Sequence, residues 1–289
     1  MFHGSLTALV TPWRRGAFDE EAYARLIDRQ VEAGTNGLVA VGTTGESPTL
    51  GLDEHVHVVR ACVRAARGRV PVIAGCGSND TSAAIGLVHA AAEAGADGVM
   101  ATTGYYNRPN QEGLYAHFEA LAEASALPII LYNVPSRTAC DVAVGTIARL
   151  ARLANIVEVK DATGDLARVA RTRVLCGEEF TQLSGEDATA VGFNAMGGTG
   201  CISVLANVAP AQCAAMQAAC AAGRWDDALA LQDQLIVLAD ALFADTSPAP
   251  VKYALARLGL CEESFRLPMV PASSRAKRLV DEAMAGMDL

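Results

Sequence analysis

Several things are scarce in this chain of 289 residues, and each scarcity removes a class of function. Basic residues do not cluster: 23 Lys and Arg are scattered against 32 Asp and Glu, net charge is -9 and the pI about 5.1. That balance argues against nucleic acid or an anionic membrane surface as partner. No H-E-x-x-H occurs among the five histidines (3, 55, 57, 89, 117), and His55 and His57 face different sides of a helix, so a catalytic metal is not expected. Gly75-Cys76-Gly77-Ser78-Asn79-Asp80 begins like a dinucleotide fingerprint but lacks its third glycine, and no complete phosphate loop is present. Eight cysteines (62, 76, 140, 176, 201, 213, 220, 261) form no C-x-x-C pair, and Met1 to Val10 has no basic start of a secretory leader. Reduced thiols in the cytoplasm are the expectation.

A membrane span is excluded by composition. No charged residue falls between Asp187 and Arg224, but Asn194, Gly197, Gly198, Gly200, Asn207 and Pro210 interrupt the stretch. No run of about 20 apolar residues remains. With 51% hydrophobic residues the chain can bury a large core, so small-molecule chemistry in a compact protein is the better expectation.

Short apolar runs alternate with amphipathic ones. Strands are expected at Leu6–Val10, Leu38–Val41, Val70–Ala74, Gly98–Ala101, Ile129–Tyr132, Ile156–Val159, Phe180–Ser184 and Gly200–Val204. Between them, stripes such as Tyr23, Leu26, Ile27, Val31 and Leu114, Phe118, Leu121 have helical spacing. Asp19 and Thr81 read as N-caps, and Gly34, Gly68 and Gly95 stand where helix C-caps belong. Eight strand-helix repeats point to a (β/α)₈ TIM barrel over 1–224, with an open eight-stranded sheet as the competing arrangement. After Pro210 strand signals stop. Residues 225–289 read as a C-terminal helical extension, broken by Pro248, Pro250, Pro268 and Pro271 and packed on the barrel.

Active sites of such barrels lie at the C-terminal strand ends, and this filters the candidates. The sharpest is Lys160, a lone lysine ending the apolar run Ile156 to Val159. An ammonium at its reference pKa is free amine only about 0.04% of the time at pH 7, so a nucleophilic lysine needs surroundings that disfavour its charge. Strand ends inside a barrel can supply them; a surface lysine closing a strand is the commoner alternative. Gly42-Thr43-Thr44-Gly45-Glu46 can present successive amides and two hydroxyls to a carboxylate. Tyr132, one strand away and 28 residues before Lys160, can shuttle protons to a lysine-bound substrate. Arg137 can clasp a carboxylate with its fork, or serve as a structural ion pair.

Gly42 to Glu46, Tyr105-Tyr106-Asn107-Arg108-Pro109, Tyr132 to Thr138, Lys160-Asp161-Ala162-Thr163-Gly164 and Gly197 to Ser203, in this order and spacing, resemble the 4-hydroxy-tetrahydrodipicolinate synthase (dihydrodipicolinate synthase) family of pyruvate-dependent class I aldolases. The resemblance covers nearly the whole length. It implies that Lys160 forms an imine with pyruvate, whose enamine attacks the aldehyde of aspartate semialdehyde, with no cofactor. Tyr132, Thr44 and a Tyr106 from a partner subunit become the proton relay, and Thr43 and Thr44 the pyruvate-carboxylate site. Arg137 becomes the grip on the second substrate's carboxylate, while Gly185 and Ile202 line the pocket through their backbone. A homotetramer built as a dimer of dimers follows from the same resemblance, as does a place in diaminopimelate and lysine biosynthesis. Relatives that sense lysine bind it between subunits. Ser47, His55, Asn79 and Tyr105 are the residual effector positions, but Leu52 and Ala83 replace two polar ones, so weak feedback is expected. Sister aldolases acting on N-acetylneuraminate or 2-keto-3-deoxy sugar acids, and a non-catalytic oxoacid-binding paralogue, are the alternatives.

Three departures from the family pattern stand out. Glu158 occupies a position usually small and by alternation shares the inward face with Lys160, where its charge would favour the ammonium. Gly104 replaces a proline ahead of Tyr105, loosening that segment, and Ser247-Pro248 stands in place of Asn-Pro.

Overall fold

A computed structural model describes every residue except Asp288. Eight parallel strands close into a barrel: β1 (Gly4–Ala8), β2 (Gly37–Ala40), β3 (Val72–Gly75), β4 (Gly98–Thr102), β5 (Ile129–Asn133), β6 (Ile156–Asp161), β7 (Thr181–Ser184) and β8 (Gly200–Ser203), each paired with its neighbours in sequence and β8 with β1. The open sheet is thereby excluded. Helices α1 (Glu20–Glu32), α2 (Leu52–Ala66), α3 (Thr81–Glu93), α4 (Gln111–Ala124), α5 (Val144–Leu150), α6 (Ala167–Cys176), α7 (Ala190–Ala195) and α8 (Pro210–Ala221) surround it. The strands are buried on both faces, which is why they read as continuous apolar runs. Leu6, Val39, Ile73, Met100, Ile130 and Ile202 fill the interior, and the residues between them, such as Leu38, Val99 and Leu131, pack outward against helices. Each such side chain contributes about 1.5–3 kcal/mol by burial.

Most strand boundaries shift by one or two residues from expectation: β3, for instance, starts at Val72 instead of Val70 and ends at Gly75, and β6 runs on to Asp161. β1 starts two residues early, at Gly4, which pairs with Gly200, and it ends at Ala8; the Leu9 amide still donates to the Val39 carbonyl at 3.0 Å, while the Val10 amide turns to Asn207 Oδ1 at 3.2 Å. The N-cap of α3 is Asp80, whose carboxylate accepts from the Ser82 amide, and Thr81 is the first helical residue. Asp19 caps α1 as expected. Gly34, Gly68 and Gly95, with φ of +88°, +67° and +87°, follow the C-caps by one residue, the position where left-handed backbone ends a helix. A small hairpin pairing Trp13–Arg14 with Ala17–Phe18 was not foreseen, being too short for a periodic signal.

The charge-free stretch folds as α7, β8 and α8, and among the described residues no helix is long and apolar enough to cross a membrane. Beyond it, α9 (Trp225–Leu242), α10 (Ala249–Arg257) and α11 (Ser274–Met284) pack against the barrel. Leu235, Leu238, Leu242, Val251, Leu255 and Val280 share one apolar cluster with Val10, Leu26, Leu205 and Met216 of the barrel. Pro248 and Pro250 introduce α10 instead of interrupting a helix.

Candidate active site

The strand ends β2, β5, β6 and β7 open into one hollow. Its narrow floor, about 80 Å³, is walled by Thr43, Thr44, Tyr132, Lys160, Ala162, Gly185 and Glu186, among others. A side chamber of about 550 Å³ shares Thr43, Met100, Tyr132, Val134 and Arg137 with it.

Register puts Tyr132 of β5 directly beside Lys160 of β6, so the lysine Nζ lies 4.0 Å from the centroid of the tyrosine ring. Lys160 is 5% exposed and, among the described residues, makes no ion pair. The chain has only two other lysines, and both are paired: Lys252 with Glu46 and Lys277 with Glu263. Gly185 is required by this packing: a Cβ there would come within 2.7 Å of the Ala162 Cβ and 3.1 Å of the Lys160 Cε. The strand ends are tied from outside. Arg168 donates to Asp161 (3.0 Å), Asp141 (3.2 Å) and the Val142 carbonyl (2.7 Å), and Asn133 donates to Asp141 at 2.8 Å. Asn133 and Asp161 are the residues next to Tyr132 and Lys160, so the clamp fixes both.

The turn after β2 is strained. Val41 and Glu46, neither a glycine, hold left-handed backbone at φ +47° and +57°, a conformation that costs about 1–2 kcal/mol each. Within it the amides of Gly45, Glu46 and Ser47 donate back to Gly42, Thr43 and Gly42, while those of Thr43 and Thr44 donate to none of the turn's carbonyls, the arrangement in which successive amides can form an anion-binding concavity. The glycines of the false dinucleotide motif serve this turn and the next. A Cβ on Gly75 would meet the Val41 carbonyl at 2.4 Å, and one on Gly77 the Thr102 hydroxyl at 2.2 Å.

Arg137 stands exposed at the mouth with no ion pair among the described residues; its guanidinium donates only to the Ser247 carbonyl, at 3.4 Å. The substituted Ser247 thus still forms the pocket edge. Thr44 and Tyr132 share the wall without a hydrogen bond between them, and such relays commonly tighten only around substrate. Ile202 sits in the barrel interior, with Val204 two residues on reaching the hollow.

Tyr106 is not at its own chain's floor: it is 92% exposed, on backbone at φ +71°. The Asn107 side chain anchors this loop on the Asn79 carbonyl at 2.8 Å, and Asn107 and Pro109 fill the space a side chain at position 104 would take. Of the residual effector positions, Ser47, His55 and Tyr105 line the side chamber beside Leu52 and Ala83, and Asn79 does not. His55 Nε2 is engaged with the Gly75 carbonyl at 2.8 Å, and burial lowers its pKa, which keeps the ring neutral near pH 7.

Glu158 does face inward, as alternation predicts, but it pairs with Ile130, one layer below Tyr132 and Lys160, or about 6–7 Å toward the N-terminal end of the barrel. There it accepts the Phe2 amide at 2.6 Å, and burial raises its pKa. The N-terminal segment, not a barrel cation, holds the carboxylate away from Lys160. Nearer the lysine are Glu186 and Asp187, both missed in the sequence although they follow a strand end. Burial raises both pKa values and Lys160 draws both down. Asp187 Oδ2 is committed to the amides of Val204 and Leu205 at 3.0 Å.

The model of the family described as "Dihydrodipicolinate synthetase family" matches residues 1–286. The chain belongs to the dihydrodipicolinate synthetase family. It is 57% identical over 289 residues to the 4-hydroxy-tetrahydrodipicolinate synthase of Parvibaculum lavamentivorans, covering all of this chain and 99% of that one. The crystal structure of dihydrodipicolinate synthase from Aquifex aeolicus superposes with a TM-score of 0.96 at 41% identity, over 98% and 97% of the two chains. The chloride-inhibited dihydrodipicolinate synthase from Acinetobacter baumannii, complexed with pyruvate, matches equally well: TM-score 0.96, 41% identity, 98% of both chains. Family membership and the closed barrel together make this hollow the candidate active site.

Proposed function

We infer that the chain condenses pyruvate with L-aspartate 4-semialdehyde to 4-hydroxy-tetrahydrodipicolinate and water, a lyase reaction of diaminopimelate and lysine biosynthesis. One observation carries the assignment of the site: Lys160 is the one lysine of three without an ion pair among the described residues, and it lies on the floor of the strand-end hollow beside Tyr132. Its Nζ attacks the ketone carbon of pyruvate, and the carbinolamine loses water to give the imine. The imine draws electrons from the methyl group, which releases a proton and becomes the enamine carbon. That carbon bonds to the aldehyde carbon of the second substrate, whose oxygen takes a proton. The substrate's own amine then attacks the imine carbon, closing the ring and releasing Lys160.

In this reading the free amides and hydroxyls of Thr43 and Thr44 receive the pyruvate carboxylate, and Tyr132 with Thr44 moves the protons. Arg137, unpaired at the mouth, receives the carboxylate of the semialdehyde. That favours an acid-bearing aldehyde over a polyhydroxylated one, which calls for neutral donors and acceptors. Exposure of Tyr106 supports its serving the site of a second copy, in a homotetramer assembled as a dimer of dimers. The reading carries a cytoplasmic setting with it and uses no metal or other cofactor, since the covalent bond to lysine supplies the electron sink.

Borohydride reduction in the presence of pyruvate, followed by mass mapping, is expected to label Lys160 alone among the three lysines. Native protein left unlabelled there, or labelled protein without turnover of aspartate semialdehyde, overturns the reading.

A further inference from the structure

The Thr43–Thr44 turn is gripped from behind by the C-terminal helices. Lys252, on α10, has no exposed surface; its Nζ donates to Glu46 Oε1 at 2.5 Å and to the Ser264 carbonyl at 2.8 Å. The rings of Phe265 and Trp13 lie 5.0 and 5.7 Å from the same ammonium. Glu46 also accepts from Trp13 Nε1 at 3.1 Å and from the Arg266 amide at 3.2 Å. A single side chain two residues beyond Thr44 is therefore fixed by positions 13, 252 and 266.

Stability gives no reason for this arrangement. Two charges lose their hydration in such a pair, and apolar replacement of both is often neutral or favourable. Geometry does give one. Glu46 and Val41 bracket the turn in left-handed backbone, and strain of that kind persists only where the surroundings over-determine it. The Thr11 hydroxyl adds a second hold, donating to the Gly45 carbonyl at 2.7 Å.

We propose that the buried Glu46–Lys252 pair is a positioning device for the oxoacid-carboxylate site, holding the Thr43–Thr44 turn from the C-terminal helices in the geometry that meets the carboxylate. Neither residue touches substrate. The inference rests on the reading of that turn as the carboxylate site of pyruvate. It gives the helical tail a part in binding: the tail sets the affinity for the first substrate through a contact 206 residues away in sequence.

The test uses the full chain carrying Glu46→Gln and Lys252→Met together, which removes both charges at once so that neither is left buried alone. The readout is the concentration giving half-maximal borohydride-trapped label on Lys160, for pyruvate and, in parallel, for methyl pyruvate, which keeps the ketone and lacks the carboxylate charge. Expected is a rise of about tenfold or more for pyruvate, less than about twofold for methyl pyruvate. Trp13→Phe, which removes one donor to Glu46 and no charge, is expected to raise the pyruvate value about threefold, and it decides the matter should the double variant not fold. An unshifted pyruvate value, or equal shifts for the two compounds, overturns the inference while native label at Lys160 leaves the wider reading intact. Native enzyme with no label at Lys160 brings down both.

Discussion

Lys160 and Lys252 are both buried, at 5% and 0% exposure, and the fold treats them in opposite ways. Lys252 meets a carboxylate, a carbonyl and two aromatic rings, so its charge has partners on every side, although burial lowers its pKa more than Glu46 raises it. Lys160 meets the face of one tyrosine and a hollow, and the buried carboxylate of Asp187 is turned toward backbone amides. Burial by itself therefore does not make a lysine a nucleophile. What matters is whether the fold supplies a counter-charge or leaves room for a ketone.

The comparison can be broken most directly at Lys160. Lys160→Ala is expected to lower kcat by at least ~10³-fold and abolish borohydride labelling, with thermal stability little changed because no ion pair is lost. Steady-state turnover and a melting curve on the same preparation check both halves. Lys252→Met alone should keep borohydride labelling at saturating pyruvate but lose stability. Glu46 is then left buried without its partner charge, which costs about 3–5 kcal/mol and lowers Tm by roughly 6–15 °C in calorimetry. A variant that melts like the native chain would show the pair to be incidental.

Arg137 sharpens the chemical side of the contrast, since among the described residues it is a cation without an ion pair at the surface of the same hollow. Arg137→Ala is expected to raise KM for aspartate semialdehyde by about 10–100-fold, while imine formation with pyruvate stays within about twofold. A loss confined to pyruvate instead would assign the guanidinium to the other substrate.

Glu158 is the anionic counterpart of the comparison, a buried carboxylate whose proton affinity burial has raised. Because its folded-state pKa lies above the unfolded one, the stability it contributes is complete below the ordinary carboxylate range and is lost as pH rises through the folded value. Glu158→Gln stays neutral throughout. Its Tm is expected to exceed that of the native chain by ~2 °C at pH 8 and to match it near pH 4, as melting curves across that range would register. The smallest effect is predicted for L-lysine. With Leu52 and Ala83 in the wall of the side chamber, millimolar L-lysine should leave the condensation rate within about twofold, and strong inhibition would reverse this.

Much of the candidate site was legible because barrel chemistry collects at strand ends, and strand ends can be read from where apolar runs stop. That logic located Lys160, Tyr132, the Thr43–Thr44 turn and Arg137. It also could have flagged Glu186, which follows β7 but was hidden beside a charge-free stretch. It could not place Tyr106, whose 92% exposure depends on a left-handed loop anchored to Asn79, nor resolve Glu158, whose partner is a backbone amide at the chain's other end. Thr81 and Asp80 are adjacent cap formers, and only the backbone angles choose between them.

By itself the sequence determined the alternation of eight strands and helices, the inward and outward faces of each strand, and the presence of a lysine where one strand ends. These are local properties, set by side-chain periodicity over a few residues. Tertiary structure alone decided that Tyr132 lies in register with Lys160, that among the described residues Lys160 makes no ion pair while Lys252 makes one, and that the helical tail grips the Thr43–Thr44 turn. Each of these depends on closure of the barrel and on contacts between residues far apart in the chain, and a lysine carries no mark in the sequence of the charge it will or will not meet.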